Sequence, residues 1–87
     1  METGMDEVRN RIASTLKSVV GEMTAGSHII EVSYVQGEKT TIYKISLPQE
    51  YRGKLIGAGG RNISSLRQIL TAMSANHGFR AIIDLVV

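Results

Sequence analysis

The sequence contains no cysteine and a single proline, and aromatic residues make up 5% of its 87 positions. Without cysteine there is no disulfide to staple the fold and no thiolate to hold a metal, so the chain reads as a protein of a reducing compartment. No apolar run approaches the ~20 residues that cross a bilayer. The N-terminal segment interleaves Asp6, Glu7, Arg9 and Arg11 with its apolar residues, which is not the pattern of a secretory leader. A soluble, untargeted, cytoplasmic protein with no membrane partner is expected. What the chain does have is a globular composition, 43% hydrophobic and 21% charged, rather than the polar, charge-rich signature of disorder. With 87 residues it has room for one core. A core of that size supplies only about 3 to 5 kcal/mol, so well-patterned helices and strands, or a partner, must make up the rest.

The formal net charge of +2 is unevenly distributed. Residues 1–50 carry five cations against seven acids, whereas residues 51–87 carry Arg52, Lys54, Arg61, Arg67 and Arg80 against Asp84 alone. Four of those cations fall between 51 and 67, where there is no acid. A local positive field follows, and an anionic partner is the first class of ligand to consider. A solvated basic face with no ligand accounts for the excess equally well until a second feature falls in the same stretch.

Met5, Val8, Ile12, Leu16, Val19, Val20 and Met23 recur at steps of three and four, which predicts a helix over 5–22 with Glu7, Arg11 and Lys17 on its other face. Residues 1–4 are expected to be disordered. Thr24, Gly26 and Ser27 break the period, and Ile30, Val32 and Tyr34 then alternate, predicting a strand from about 28. Gln36-Gly37-Glu38-Lys39 is a polar turn, after which Tyr43, Ile45 and Leu47 alternate with Ile42, Lys44 and Ser46. The two strands should form a hairpin. Pro48 predicts a short helix opened by proline over 48–56, ended by Gly57-Ala58-Gly59-Gly60. Ile63, Leu66, Ile69, Leu70 and Met73 mark another amphipathic helix over 61–77, stopped at Asn76-His77-Gly78. A last strand alternates Ala81, Ile83 and Leu85 with Arg80, Ile82 and Asp84. The order is α-β-β-α-α-β. A returning strand after a helical crossover can run parallel to the strand before it. The fold class is therefore α+β: a three-stranded mixed sheet covered on one face by three helices.

The informative stretch is Ile56-Gly57-Ala58-Gly59-Gly60-Arg61-Asn62-Ile63. Four residues without a bulky side chain join two helices. Glycine reaches positive φ and leaves backbone N–H groups bare, and the loop ends at a helix N-terminus, whose unpaired amides carry partial positive charge. Such a corner accepts phosphate. Any tight turn between helices also favours glycine, so the loop gains its meaning from lying inside the most basic segment, between two helices and after a hairpin.

These residues resemble the signature of KH domains, I-G-x-x-G-x-x-I, matched here by Ile56, Gly57, Gly60 and Ile63. The element order is similar to the type II arrangement, with the KH core over 28–87 and one domain over 1–87. Chain length and the run Leu47-Pro48-Gln49-Glu50-Tyr51-Arg52-Gly53-Lys54-Leu55-Ile56-Gly57 further resemble small bacterial single-KH-domain proteins of the KhpA type. The resemblance implies that Gly57, Ala58, Gly59 and Gly60 clamp the backbone of single-stranded RNA while Ile56 and Ile63 help to build an apolar groove for the bases. One departure is clear. The family usually places Lys or Arg at a variable loop position, where this chain has Ala58 and Gly59. Arg61, Lys54 and Arg52, with Arg67 further along the helix, would then supply the charge.

The remaining signals are structural. His28 and His77 are far apart in sequence with no cysteine and no clustered carboxylates, so no metal is expected. Gly57-Ala58-Gly59 is not a dinucleotide fingerprint, because Asn62 stands where its third glycine would be, and no P-loop motif exists. Ser14, Ser18, Ser64 and Ser65 have no base partner. No catalytic residue and no cofactor are expected. Tyr43 shares the face of Ile45 and belongs to the core, and Met5, Met23 and Met73 fit helix stripes. The scarcity of aromatics argues against a base-stacking sheet. The resemblance implies a cytoplasmic RNA-binding protein, a post-transcriptional regulator or RNA chaperone. It also implies that the chain pairs with itself or with a larger KH-containing protein. The alternative is a degenerate KH domain serving as the protein-interaction subunit of a larger RNA-binding complex.

Overall fold

Ile12, Leu16 and Val20 stand at four-residue steps and are all buried, which fixes one stripe of helix α1 (Glu2–Thr24) against the rest of the chain. A computed structural model describes residues 2–26 and 29–86. Met1, His28 and Val87, at the expected disordered tail and at the two ends of the expected KH core, lie outside the described residues. The helix begins at Glu2 rather than at 5, so residues 2–4, expected to be disordered, form its first turn. The apolar period only starts at Met5 and cannot report an earlier turn. At the other end Thr24 Oγ1 donates to the Val20 carbonyl at 2.8 Å. The Ala25 N–H closes onto Gly21 at 2.7 Å with Ala25 at φ 58°.

Strand β1 (Glu31–Gln36) and strand β2 (Thr40–Ser46) form the expected antiparallel hairpin, with Val32 opposite Ile45 and Tyr34 opposite Tyr43. The strand starts at Glu31, not near 28: Ile30 is wholly buried but precedes the ladder. At the turn the Gly37 N–H donates to the Thr40 carbonyl at 2.8 Å. Helix α2 (Gln49–Ile56) follows, with Leu55 as its buried residue. Pro48 sits at its N-cap with ψ 149°, so it precedes the first turn in an extended conformation instead of occupying it. Helix α3 (Arg61–Asn76) ends one residue before the expected 77, and Gly78 takes the left-handed conformation with φ 80°. Strand β3 (Arg80–Val86) then pairs parallel to β2, giving the sheet order β1-β2-β3.

The chain is thus α+β, with the order α-β-β-α-α-β and a mixed three-stranded sheet. Tyr43, Ile45, Ala81 and Ile83 point from the sheet into one cluster with the stripe of α1, Leu55 of α2, and Ile63, Leu66 and Leu70 of α3. Their strand neighbours Lys44, Ile82 and Asp84 face away and are exposed. Two polar contacts fasten α1 to the central strand. The Tyr43 hydroxyl donates to the Arg9 carbonyl at 3.0 Å, and Arg9 Nε donates to Thr41 Oγ1 at 3.0 Å. Burial of Tyr43 outweighs the opposing field of Arg9 and pushes the phenol up to about 12.

Candidate nucleic-acid interface

The connection from α2 to α3 is built by three consecutive demands on glycine. Gly57 lies at φ 77°, ψ 173°, a region open essentially to glycine alone. A Cβ there would also stand 2.7 Å from Asn62 Cγ and 2.8 Å from Asn62 Nδ2. The Gly57 N–H closes α2 onto the Gly53 carbonyl at 2.8 Å. Residues Ala58–Gly60 make a single 3-10 turn in which Gly59 (φ 64°) and Gly60 (φ 77°) are left-handed. No heavy atom comes within 4 Å of where their side chains would begin. The Asn62 side-chain amide reaches back over this turn and donates to the Lys54 carbonyl at 3.0 Å. The last turn of α2 and the first turn of α3 are therefore held together while the loop between them stays open.

That opening faces a helix end without a side-chain cap. Gly60, the N-cap of α3, has no side chain to accept from the first-turn amides, and no acid stands in that turn. The partial positive charge of a sixteen-residue helix is presented without a local counter-charge. Ala58 and Gly59 are exposed beside it, so a tetrahedral oxyanion can approach the backbone directly.

The four clustered cations do not share one surface. Lys54, in the last turn of α2, and Arg61, first residue of α3, are exposed on either side of the loop, and Arg52 is half-buried on α2. Arg67 lies six residues beyond Arg61, about 120° around the helix at ~100° per residue. It lines a cavity of about 150 Å³ between α3 and β3 with Leu70, Thr71, Ala81, Ile82 and Ile83. Two or three cations therefore flank the loop and one stands over a groove. The apolar residues of the motif also divide. Ile56 is half-buried, whereas Ile63 is 5% exposed within the core. Ile63 packs beneath α3 in the core and does not line this cavity, which Ile82, 45% exposed on β3, does.

Residues 11–85 match the family described as KhpA/KhpB, KH domain. The chain belongs to that family. It is similar to the RNA-binding protein KhpA of Aquifex aeolicus, 33% identical over 78 residues that cover 84% of this chain and 98% of that protein. The RNA-binding protein KhpA of Borreliella burgdorferi is 27% identical over 82 residues, covering 94% of this chain and 99% of its own. That of Chlamydia pneumoniae is 30% identical over 57 residues, 66% of this chain and 73% of its own. No solved structure matches.

Within this KhpA/KhpB-type domain, sequence reasoning missed Asn62. Its position two residues after the last loop glycine was the available signal, but its partner, a backbone carbonyl eight residues earlier, is not legible in a string. Among the described residues no group of three His, Cys, Asp or Glu could hold a metal, and no helix is long and apolar enough to cross a membrane.

Proposed function

We propose that this domain is a type II KH module that binds single-stranded RNA without catalysing a reaction on it. The Gly57–Gly60 backbone and the N-terminus of α3 hold phosphates, Arg61 and Lys54 with Arg52 supply charge, and the α3–β3 groove at Arg67 takes bases. One observation carries the reading: Asn62 pins the flanking helices together at 3.0 Å around left-handed glycines that leave an uncapped helix end open to solvent. The names of the relatives support it. On this reading the protein acts in the cytoplasm as a post-transcriptional regulator or RNA chaperone. It pairs with itself or with a larger KH-containing protein through exposed apolar side chains such as Ile69.

A second reading rests on Ala58 and Gly59, which bring no cation to the loop: the domain serves mainly to recruit a protein that contacts RNA itself. Salt dependence separates the two. With two or three phosphate contacts, log K for single-stranded RNA falls against log salt with a slope of about −1.5 to −2, at ~0.7 per contact. Lys17→Ala, on the exposed side of α1, leaves that slope unchanged. A slope near zero, or no binding by the isolated chain, favours the recruiting role.

A further inference from the structure

A cavity of about 890 Å³ lies away from the glycine loop, between the β1–β2 turn, the last turns of α3 and the first residues of β3. Thr71, Ala81 and Ile82 line both this cavity and the smaller α3–β3 groove, so the two adjoin. From Arg61 to Ser74, α3 rises about 20 Å. A strand that starts at the loop and follows the groove reaches this cavity after the roughly four nucleotides that a KH loop module clamps.

Its charge fits the continuation of such a strand. Arg9, Lys39 and Arg80 line it against Glu38 alone. Thr40 and Arg80 are Cα partners in the parallel ladder, so Lys39, which precedes Thr40, and Arg80 are exposed at the same end of the sheet. Arg9 lies beneath, 7% exposed. Its Nε is held by Thr41 and its guanidinium lies 5.0 Å over the Phe79 ring. Its Nη1, however, is buried with no hydrogen-bond partner, and the nearest carboxylate, half-exposed Asp6, is 3.7 Å away. A buried cation so weakly neutralised leaves a positive potential in a low-dielectric wall. The negative end of α3 also borders the cavity and is weakened there, since the Ser74 and Ala75 carbonyls accept from the N–H groups of His77, Gly78 and Phe79.

We propose that this cavity is an accessory subsite for a phosphate of the same RNA strand, engaged by Lys39 and Arg80 over the buried Arg9 and filled only by strands longer than the clamped tetranucleotide. The proposal rests on the RNA-binding reading above. The test compares mixed-sequence oligoribonucleotides of four and ten nucleotides, titrated into the full chain and into the Lys39→Ala/Arg80→Ala double variant. Both side chains are exposed, so melting is unchanged. The ten-mer should lose about fivefold or more in affinity, with its salt slope falling by about 0.7 for the one lost phosphate contact, while the tetramer binds as before. Unchanged ten-mer affinity, or an equal loss for both lengths, overturns the subsite. Saturation of the Lys39 and Arg80 amide signals by uridine 5′-monophosphate, without any length effect, would mean that the cavity takes free phosphate monoesters and also overturns it. Failure of the parent chain to bind either length overturns the RNA-binding reading itself.

Discussion

Asn62 and Gly57 occupy the same space by agreement: the Asn62 side chain crosses to the Lys54 carbonyl at 3.0 Å through the volume that any Cβ at position 57 would fill. The glycine is required twice, by its backbone angles and by its neighbour, and the second requirement is what keeps α2 and α3 in register across the loop.

Gly57→Ala should therefore destabilise the fold by about 2 kcal/mol or more, combining a glycine-only conformation with overlap. Asn62→Gly removes the overlapping atoms, including the Asn62 Cβ, 2.9 Å from the new methyl group. In denaturant unfolding the double variant should lose less than the sum of the single losses, by about 0.5 to 1 kcal/mol. Strict additivity would mean that the two residues do not compete for this space.

The buried Tyr43 predicts an alkaline transition. Its phenol is raised to about 12 from an ordinary 10, so the folded state holds the proton that the unfolded state releases. The stabilisation is complete below pH 10 and is lost as pH rises from 10 towards 12, by up to about 3 kcal/mol. Tyr43→Phe removes the bond to the Arg9 carbonyl and costs about 1 kcal/mol near neutral pH. The stability gap between parent and variant should narrow and reverse above pH 10. A gap that stays constant up to pH 12 contradicts the assignment.

Ala25 closes α1 at φ 58° and is exposed, a position where glycine is the usual occupant. Ala25→Gly relieves the left-handed strain and raises the cost of ordering the unfolded chain. The net expectation is a gain of about 0.5 kcal/mol, read as a small rise in melting temperature. A fall would place the strain elsewhere.

The sequence carried the architecture because each long element has its own period. The stripe Ile12, Leu16, Val20 and the alternation Tyr43, Ile45, Leu47 both end in buried side chains. Helix α2 was readable from Pro48 and Gly57 more than from periodicity, since Leu55 is its buried residue. Ile30 blurred the start of β1 because a buried β-branched residue looks the same inside a strand and just before one. Among site residues, the loop glycines were legible because positive φ selects for glycine locally. Ile63 is buried with Leu66 and Leu70, as its place on the apolar stripe of α3 implies, whereas a part in a base groove follows from the motif alone. Arg9, in a segment alternating charged and apolar residues, gave no sign of burial: Thr41 and Phe79, which enclose it, lie 32 and 70 residues away.

Whether the Gly57–Gly60 loop holds RNA phosphates is read from the double variant Ala58→Asp/Gly59→Asp. Both positions are exposed and Gly59 lies at φ 64°, a conformation that Asp tolerates, so the cost to the fold should be about 1 kcal/mol. Two carboxylates would then face any phosphate brought to the loop, with repulsion of about 1 kcal/mol or more for each close pair. Fluorescence anisotropy with a labelled single-stranded RNA should show affinity at least tenfold weaker, while circular dichroism and cooperative melting persist. Binding by the folded double variant as tight as that of the parent would mean that the loop does not hold the phosphates.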